Sequence, residues 1–198
     1  MKKKLPLVRL WGSRDEEMSR IHQLNNIVRY NTRNKINPES VASHSFFASY
    51  FVLSICRDYL IEDDIKLLAL ESIILHDVPE VFINDITYDC KKLIPEIDDV
   101  LEPFEHAIIS QLSESASSIL FGHNLDEKEK LAKAIVEWAD VLSVKQYAIS
   151  EVELGNKPFK HILASSKKRV KKAEHNFKKA LVEYLLKQDE FYSTERGV

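Results

Sequence analysis

Between Asp126 and Gly155 one apolar stripe recurs at helical spacing through Ala132, Ile135, Val136, Ala139, Leu142 and Val144, and no other stretch constrains the fold as strongly. It demands a helix long enough to organise a bundle. Asp126 stands where a cap belongs, and Gly155 is placed to end the helix after Leu154. The rest of the chain offers no competing architecture. It has four Gly and six Pro in 198 residues, too few for many tight turns, and no internal repeat, low-complexity tract or strand-like alternation. The expected fold is all-α, a single-domain helical bundle over residues 1–198, with a core over about 14–187 and a frayed tail from about 188.

The remaining helices follow from local signals. Ser13 and Glu16 form a capping-box pattern ahead of Met18, Ile21, Leu24 and Val28, which predicts a first helix over about 14–28. A basic, Asn-rich loop from Arg29 to Asn34 follows. Asn37-Pro38-Glu39 reads as N-cap, first-turn proline and acidic first turn of a second helix running to about Tyr59. Asp63 or Asp64 caps a third, whose inner face continues through Leu75 to His76. A turn through Glu80, Val81 and Phe82 leads to a polar loop with Asp85, Lys91 and Lys92. A fourth helix spans about 97–116 with a weak point at Pro103, and a last one starts at Pro158.

Bulk properties exclude several classes of partner. A formal charge of −3 gives no global attraction to nucleic acid or to an anionic membrane, so any phosphate site has to be local. The Lys-rich run from Lys167 to Lys179 reads as a solvated helix face. No uncharged apolar stretch of about 18 residues is present to span a membrane. The basic start at residues 2–4 is followed by Arg9 before an apolar signal region develops. Cys56 and Cys90, far apart and outside any metal or redox spacing, suit a reducing cytoplasm, so the expected location is cytoplasmic.

Chemistry concentrates where polar residues interrupt apolar stripes. His44 sits on the stripe formed by Val41, Ala48, Phe51, Val52 and Ile55, and Asp140 lies within the stripe of the long helix. His76-Asp77 closes the apolar run of the third helix, followed by Glu80 and Asp85. An ionised carboxylate buried without a partner costs several kcal/mol, so Asp140 requires a cation or donors. Pro79 ends or bends the helix just after the pair. Adjacent residues in a regular helix point about 100° apart, whereas at a distorted helix end they can reach one ion. Two imidazoles and two carboxylates suit one divalent ion such as Mn, Co, Fe or Zn better than Ca.

The order His44, then His76-Asp77, then Asp140 resembles the signature of HD-domain metal-dependent phosphohydrolases. Pro38-Glu39-Ser40-Val41-Ala42-Ser43-His44-Ser45, His76-Asp77-Val78-Pro79-Glu80-Val81 through Asp85, and Ala139-Asp140 resemble in particular the bacterial HD-domain 5'-deoxynucleotidases. That likeness covers about Arg29 to Phe159. It implies an α-helical bundle, removal of the 5'-phosphate from deoxynucleoside monophosphates, and a homodimer. It also implies metal ligands His44, His76, Asp77 and Asp140, an acid-base residue Glu80, a phosphate-holding Arg29, and Asp85 as a second carboxylate near the substrate. Tyr30 stands where the family has Trp, which keeps an aromatic wall for the sugar but leaves selection against the ribose 2'-hydroxyl open.

Phosphate monoesters hydrolyse so slowly that catalysis has to supply about 20 kcal/mol or more. No Ser, Cys or His nucleophile is arranged for the task. The expected mechanism is therefore attack by water activated on the metal, with Glu80 orienting it or exchanging its proton and Arg29, with Arg33 as a second candidate, offsetting phosphate charge. Two alternatives compete. One is a hydrolase of another nucleotide, an alarmone or a nucleoside triphosphate, on the same site; the other is a non-catalytic nucleotide-binding module, for which the full ligand set and Glu80 would be superfluous.

Overall fold

The structure is a computed structural model that describes residues 10–94 and 96–195. The basic start at residues 2–4 and the last three residues of the expected frayed tail lie outside the described residues. In chain order the helices are α1 (Arg14–His22), α2 (Val41–Asp58), α3 (Asp63–Leu75), α4 (Glu80–Ile83), α5 (Tyr88–Leu93), α6 (Ile97–Ser110), α7 (Glu114–Phe121), α8 (Glu127–Glu153) and α9 (Phe159–Glu195). The molecule is all-α, with one isolated antiparallel bridge, Val28 to Ser40, among the described residues. No helix among those residues is long and apolar enough to cross a membrane.

α8 is the axis. Asp126 caps it with a full capping box to Glu129, and α2, α3 and α9 pack around it. The main core joins Val52 and Ile55 of α2, Ile65, Ala69 and Ile73 of α3, Leu131, Ile135 and Ala139 of α8, and Phe177 of α9. Each fully buried Val, Ile, Leu or Phe side chain there contributes about 1.5–3 kcal/mol. A second cluster, Trp11, Leu24, Val41, Val78 and Ile108, lies beneath the short helices, and a third is built on Tyr147 and Phe159 with Tyr30 packed against it. The site described below sits where these clusters meet.

Several boundaries differ from the sequence expectation, each for a local reason. α1 ends at His22 and passes into a 3-10 turn over Gln23–Asn25, because the chain then straightens to pair Val28 with Ser40. α2 starts at Val41 rather than at Pro38. The Ser40 hydroxyl caps it by accepting from Ser43 N at 3.1 Å, while the Ile36 and Asn37 amides donate to Glu151 instead. Glu62, not Asp63 or Asp64, occupies the cap position of α3. The expected fourth helix is two: α6 tolerates Pro103, and the break comes where Leu112 N and Ser113 N both turn back to Ile109 O and Ser113 caps α7. The polar loop after Phe82 contains α5, and α9 stays helical through Glu195, beyond the start of the expected frayed tail.

Candidate metal centre

α3 delivers His76 and Asp77 at its C-terminal end. Pro79 cannot donate an amide, and the chain tightens into i to i+3 bonds, Val78 N to Leu75 O at 3.1 Å and Glu80 N to Asp77 O at 3.1 Å. That distortion brings the neighbouring side chains to one point, His76 Nε2 lying 3.2 Å from Asp77 Oδ2. His44, fully buried on α2, places its Nε2 at 3.7 Å from the same oxygen and at 3.1 Å from Asp140 Oδ1 on α8. Ligand atoms of His44, His76 and Asp77 lie within 4.8 Å of one another. Asp140 joins this trio through His44. Its other oxygen lies 3.7 Å from Arg169 Nη2 on α9.

The imidazoles face the cluster with unsatisfied nitrogens. Nε2 of both His44 and His76 is buried and without a hydrogen bond of acceptable geometry, despite the nearby carboxylates. Their outer nitrogens are occupied. His76 Nδ1 lies 2.6 Å from Ile73 O, which can only accept, so Nδ1 carries the proton; His44 Nδ1 lies 3.2 Å from the Ser143 hydroxyl. An outer nitrogen held by a carbonyl or hydroxyl, with the inner one aimed at carboxylates, is the support a metal-ligating histidine requires. The donor set therefore fits a divalent cation of the borderline kind.

Electrostatics divide the group. Burial alone would raise Asp77, but His76 and Arg29 hold it far below the usual carboxylate range, and His44 together with His76 holds Asp140 at about 2. Burial would likewise depress His76, yet the Asp77 carboxylate outweighs it and lifts the imidazole to about 9. A cation at Nε2 thus competes with a proton, and its binding weakens as pH falls. Burial and Arg29 push His44 down. Glu80 is raised, first by burial and then by Asp77, and its Oε2 is buried without a partner.

A cavity of about 330 Å³ opens over the cluster, within the range of small-molecule sites. Arg29, Tyr30, Glu80 and Asp85 line it, as do Arg33 and Lys91; Lys92 is exposed outside it. Arg29 donates through Nη1 to Asp77 Oδ2 at 2.7 Å. Tyr30 has a left-handed backbone, φ 54°, a costly conformation for an aromatic residue. It is held there from several sides. Its amide donates to Asp85 Oδ2 at 3.0 Å, its carbonyl accepts from Lys35 Nζ at 2.7 Å, and its ring stacks on Tyr147 at 5.6 Å. Asn84, also at positive φ, turns the chain so that Asp85 can take that bond.

Sequence reasoning missed the α9 wall. Ile162, Ser165, Ser166 and Arg169 line the cavity from one face of a helix read only as Lys-rich, and their spacing at i, i+3, i+4 and i+7 was the available signal.

A helical bundle with His, His-Asp and Asp gathered at one cavity defines the HD-domain class, and solved structures share the fold. An HD-domain phosphohydrolase from Listeria innocua superposes with a TM-score of 0.59 at 22% identity, covering 87% of this chain and 85% of that one. A conserved hypothetical protein from Pyrococcus furiosus gives 0.65 at 20% identity, covering 86% and 95%. No curated protein matches the chain. The model of the 5'-deoxynucleotidase YfbR-like family matches residues 18–188, and the chain belongs to that family. It is a phosphohydrolase.

Proposed function

We propose that this enzyme hydrolyses the 5'-phosphate of deoxynucleoside monophosphates, with His44, His76, Asp77 and Asp140 holding one divalent cation. The observation that carries the reading is the pair of buried, unpartnered Nε2 atoms of His44 and His76 facing Asp77, where His76 and Asp77 line a cavity that also presents Arg29. The family match narrows the class of substrate. A bound divalent cation supplies two things there, a water whose pKa falls toward 7 and polarisation of the phosphoryl oxygens.

The chain's own residues supply the rest. Glu80, a carboxyl raised by burial, is set beside the cluster to orient water and exchange its proton. Arg29 offsets phosphate charge, and its protonation is assured because Asp77, Asp140 and Glu80 outweigh its burial. The Tyr30 ring and the Asp85 carboxylate wall the sugar side. Burial raises the Tyr30 phenol to about 12, so it serves as a neutral surface. The same reading carries a homodimer in the cytoplasm. Phe46, Phe47 and Tyr50, exposed by 67%, 50% and 58% on one face of α2, supply apolar surface that supports self-association.

The test is orthophosphate release from a panel of deoxynucleoside mono- and triphosphates, ribonucleotides and guanosine alarmones, assayed with Mn and Co. Turnover led by the deoxynucleoside monophosphates is expected. Preference for triphosphates or alarmones moves the protein to another branch of the class, and release from none of them overturns the reading.

A further inference from the structure

We propose that Glu39 is a positioning residue, which fixes the guanidinium of Arg29 so that it presents Nη2 to the phosphate; this rests on the phosphate-binding role of Arg29. The sequence places Glu39 in the first turn of a helix, where it would only face a helix dipole. The fold puts it elsewhere. Residues 27–29 and 39–41 run antiparallel through the Val28–Ser40 bridge, with Arg29 N donating to Glu39 O at 2.9 Å and Val41 N to Ile27 O at 2.9 Å. Backbone register therefore seats Glu39 beside Arg29 before any side-chain contact forms.

The side chains complete the arrangement. Glu39 is 8% exposed, and its Oε2 lies 3.9 Å from Arg29 Nε, both atoms being buried without a hydrogen-bond partner. At the far side Nη1 donates to Asp77 Oδ2 at 2.7 Å. Two carboxyl groups thus bracket the guanidinium, Asp77 held ionised and Glu39 raised by burial to about 7 while Arg29 pulls it back, and neither contact uses Nη2. The two anchors are not equivalent. Asp77 Oδ2 also faces the imidazoles of His76 and His44, at 3.2 and 3.7 Å, so Arg29 shares it with the cation-binding cluster. Glu39 stands outside that cluster. It is the anchor Arg29 retains when Asp77 is committed elsewhere, and the 3.9 Å gap is about 1 Å beyond a hydrogen bond, a distance small guanidinium motion closes.

The test is a double-mutant cycle read by inorganic phosphate binding to the Mn-loaded protein, with kcat/KM for a deoxynucleoside monophosphate measured alongside. Glu39→Gln keeps the shape and removes the charge. Loss of a charge-assisted anchor predicts phosphate binding weakened about ten-fold and kcat/KM reduced at least as much, with metal content unchanged and the melting temperature not lowered. Glu39→Asp should recover part of the loss. In an Arg29→Ala background Glu39→Gln should add nothing. An undiminished effect in that background, or full phosphate affinity in Glu39→Gln, overturns the proposal. Should wild type turn over no nucleotide, the functional reading fails while the phosphate cycle still judges Glu39.

Discussion

Glu151 and Asp77 are both carboxylates withdrawn from water, and their surroundings differ completely. Glu151, 0% exposed near the end of α8, accepts from Ile36 N at 3.0 Å, Asn37 N at 2.7 Å and Asn156 Nδ2 at 2.5 Å, so both its oxygens are used. It ties the segment before α2 to the corner between α8 and α9. Around Asp77 the polar atoms are left over instead: His44 Nε2, His76 Nε2 and Glu80 Oε2 are buried and unpaired. Native folds satisfy nearly all buried polar groups, so a completed set marks architecture and a cluster of incomplete ones marks a place for a ligand.

The largest effects should separate these regions. Asp77→Ala removes a shared carboxylate and is expected to abolish both metal content and turnover, measured by elemental analysis and orthophosphate release; full activity in this variant would sink the metal assignment. Glu151→Ala leaves the Ile36 and Asn37 amides without their acceptor, at about 1–3 kcal/mol for each buried donor. Urea denaturation should show a loss of about 3 kcal/mol, with metal content per folded molecule intact. Metal loss without destabilisation would break the contrast. Glu80→Ala should keep the metal and cut turnover by about 10²; unchanged turnover removes Glu80 from the chemistry.

pH sharpens the same comparison. The Ile36 and Asn37 amides and Asn156 outweigh burial and hold Glu151 below the ordinary glutamate value of 4.5. A carboxylate with a depressed folded pKa contributes stability that is present above pH 4.5 and lost as pH falls through the folded value. Glu151→Gln should therefore flatten the acid limb of the stability profile relative to wild type. A limb as steep as wild type would show that other carboxylates carry it.

The sequence made the cluster around Asp77 legible and the satisfied site at Glu151 illegible, for one physical reason. His44, His76, Asp77 and Asp140 each break an apolar stripe, a departure visible within a single helix. Glu151 takes two of its three donors from amides more than a hundred residues away, and nothing local announces them. Glu39 lies before α2 rather than in its first turn because two capping signals overlap: Asn37-Pro38 competes with Ser40, and tertiary pairing of Val28 decides for Ser40. Helix lengths around α8 followed from periodicity, whereas the break between α6 and α7 depended on Ser113 rather than on the more conspicuous Pro103.

The smallest expected effect distinguishes the two histidines themselves. Ile73 O can only accept, so it fixes the His76 tautomer with its proton on Nδ1. Ser143 Oγ can donate or accept, so at 3.2 Å it orients the His44 ring without dictating where the proton sits. His44 is also the residue that links Asp140 to the trio, which makes its orientation matter to both carboxylates. Ser143→Ala removes a buried hydroxyl and leaves His44 Nδ1 unpaired. Loss of such outer support lowers metal affinity about ten-fold or more, so at saturating Mn the variant should turn over almost as wild type while competition with a chelator reveals weaker binding. Ser143→Thr, which retains the hydroxyl, should restore affinity if the added methyl is accommodated in this buried position. Equal metal affinity in wild type and Ser143→Ala would mean that packing of the fully buried His44 ring on α2 orients it alone, and the hydroxyl would then belong with the architecture.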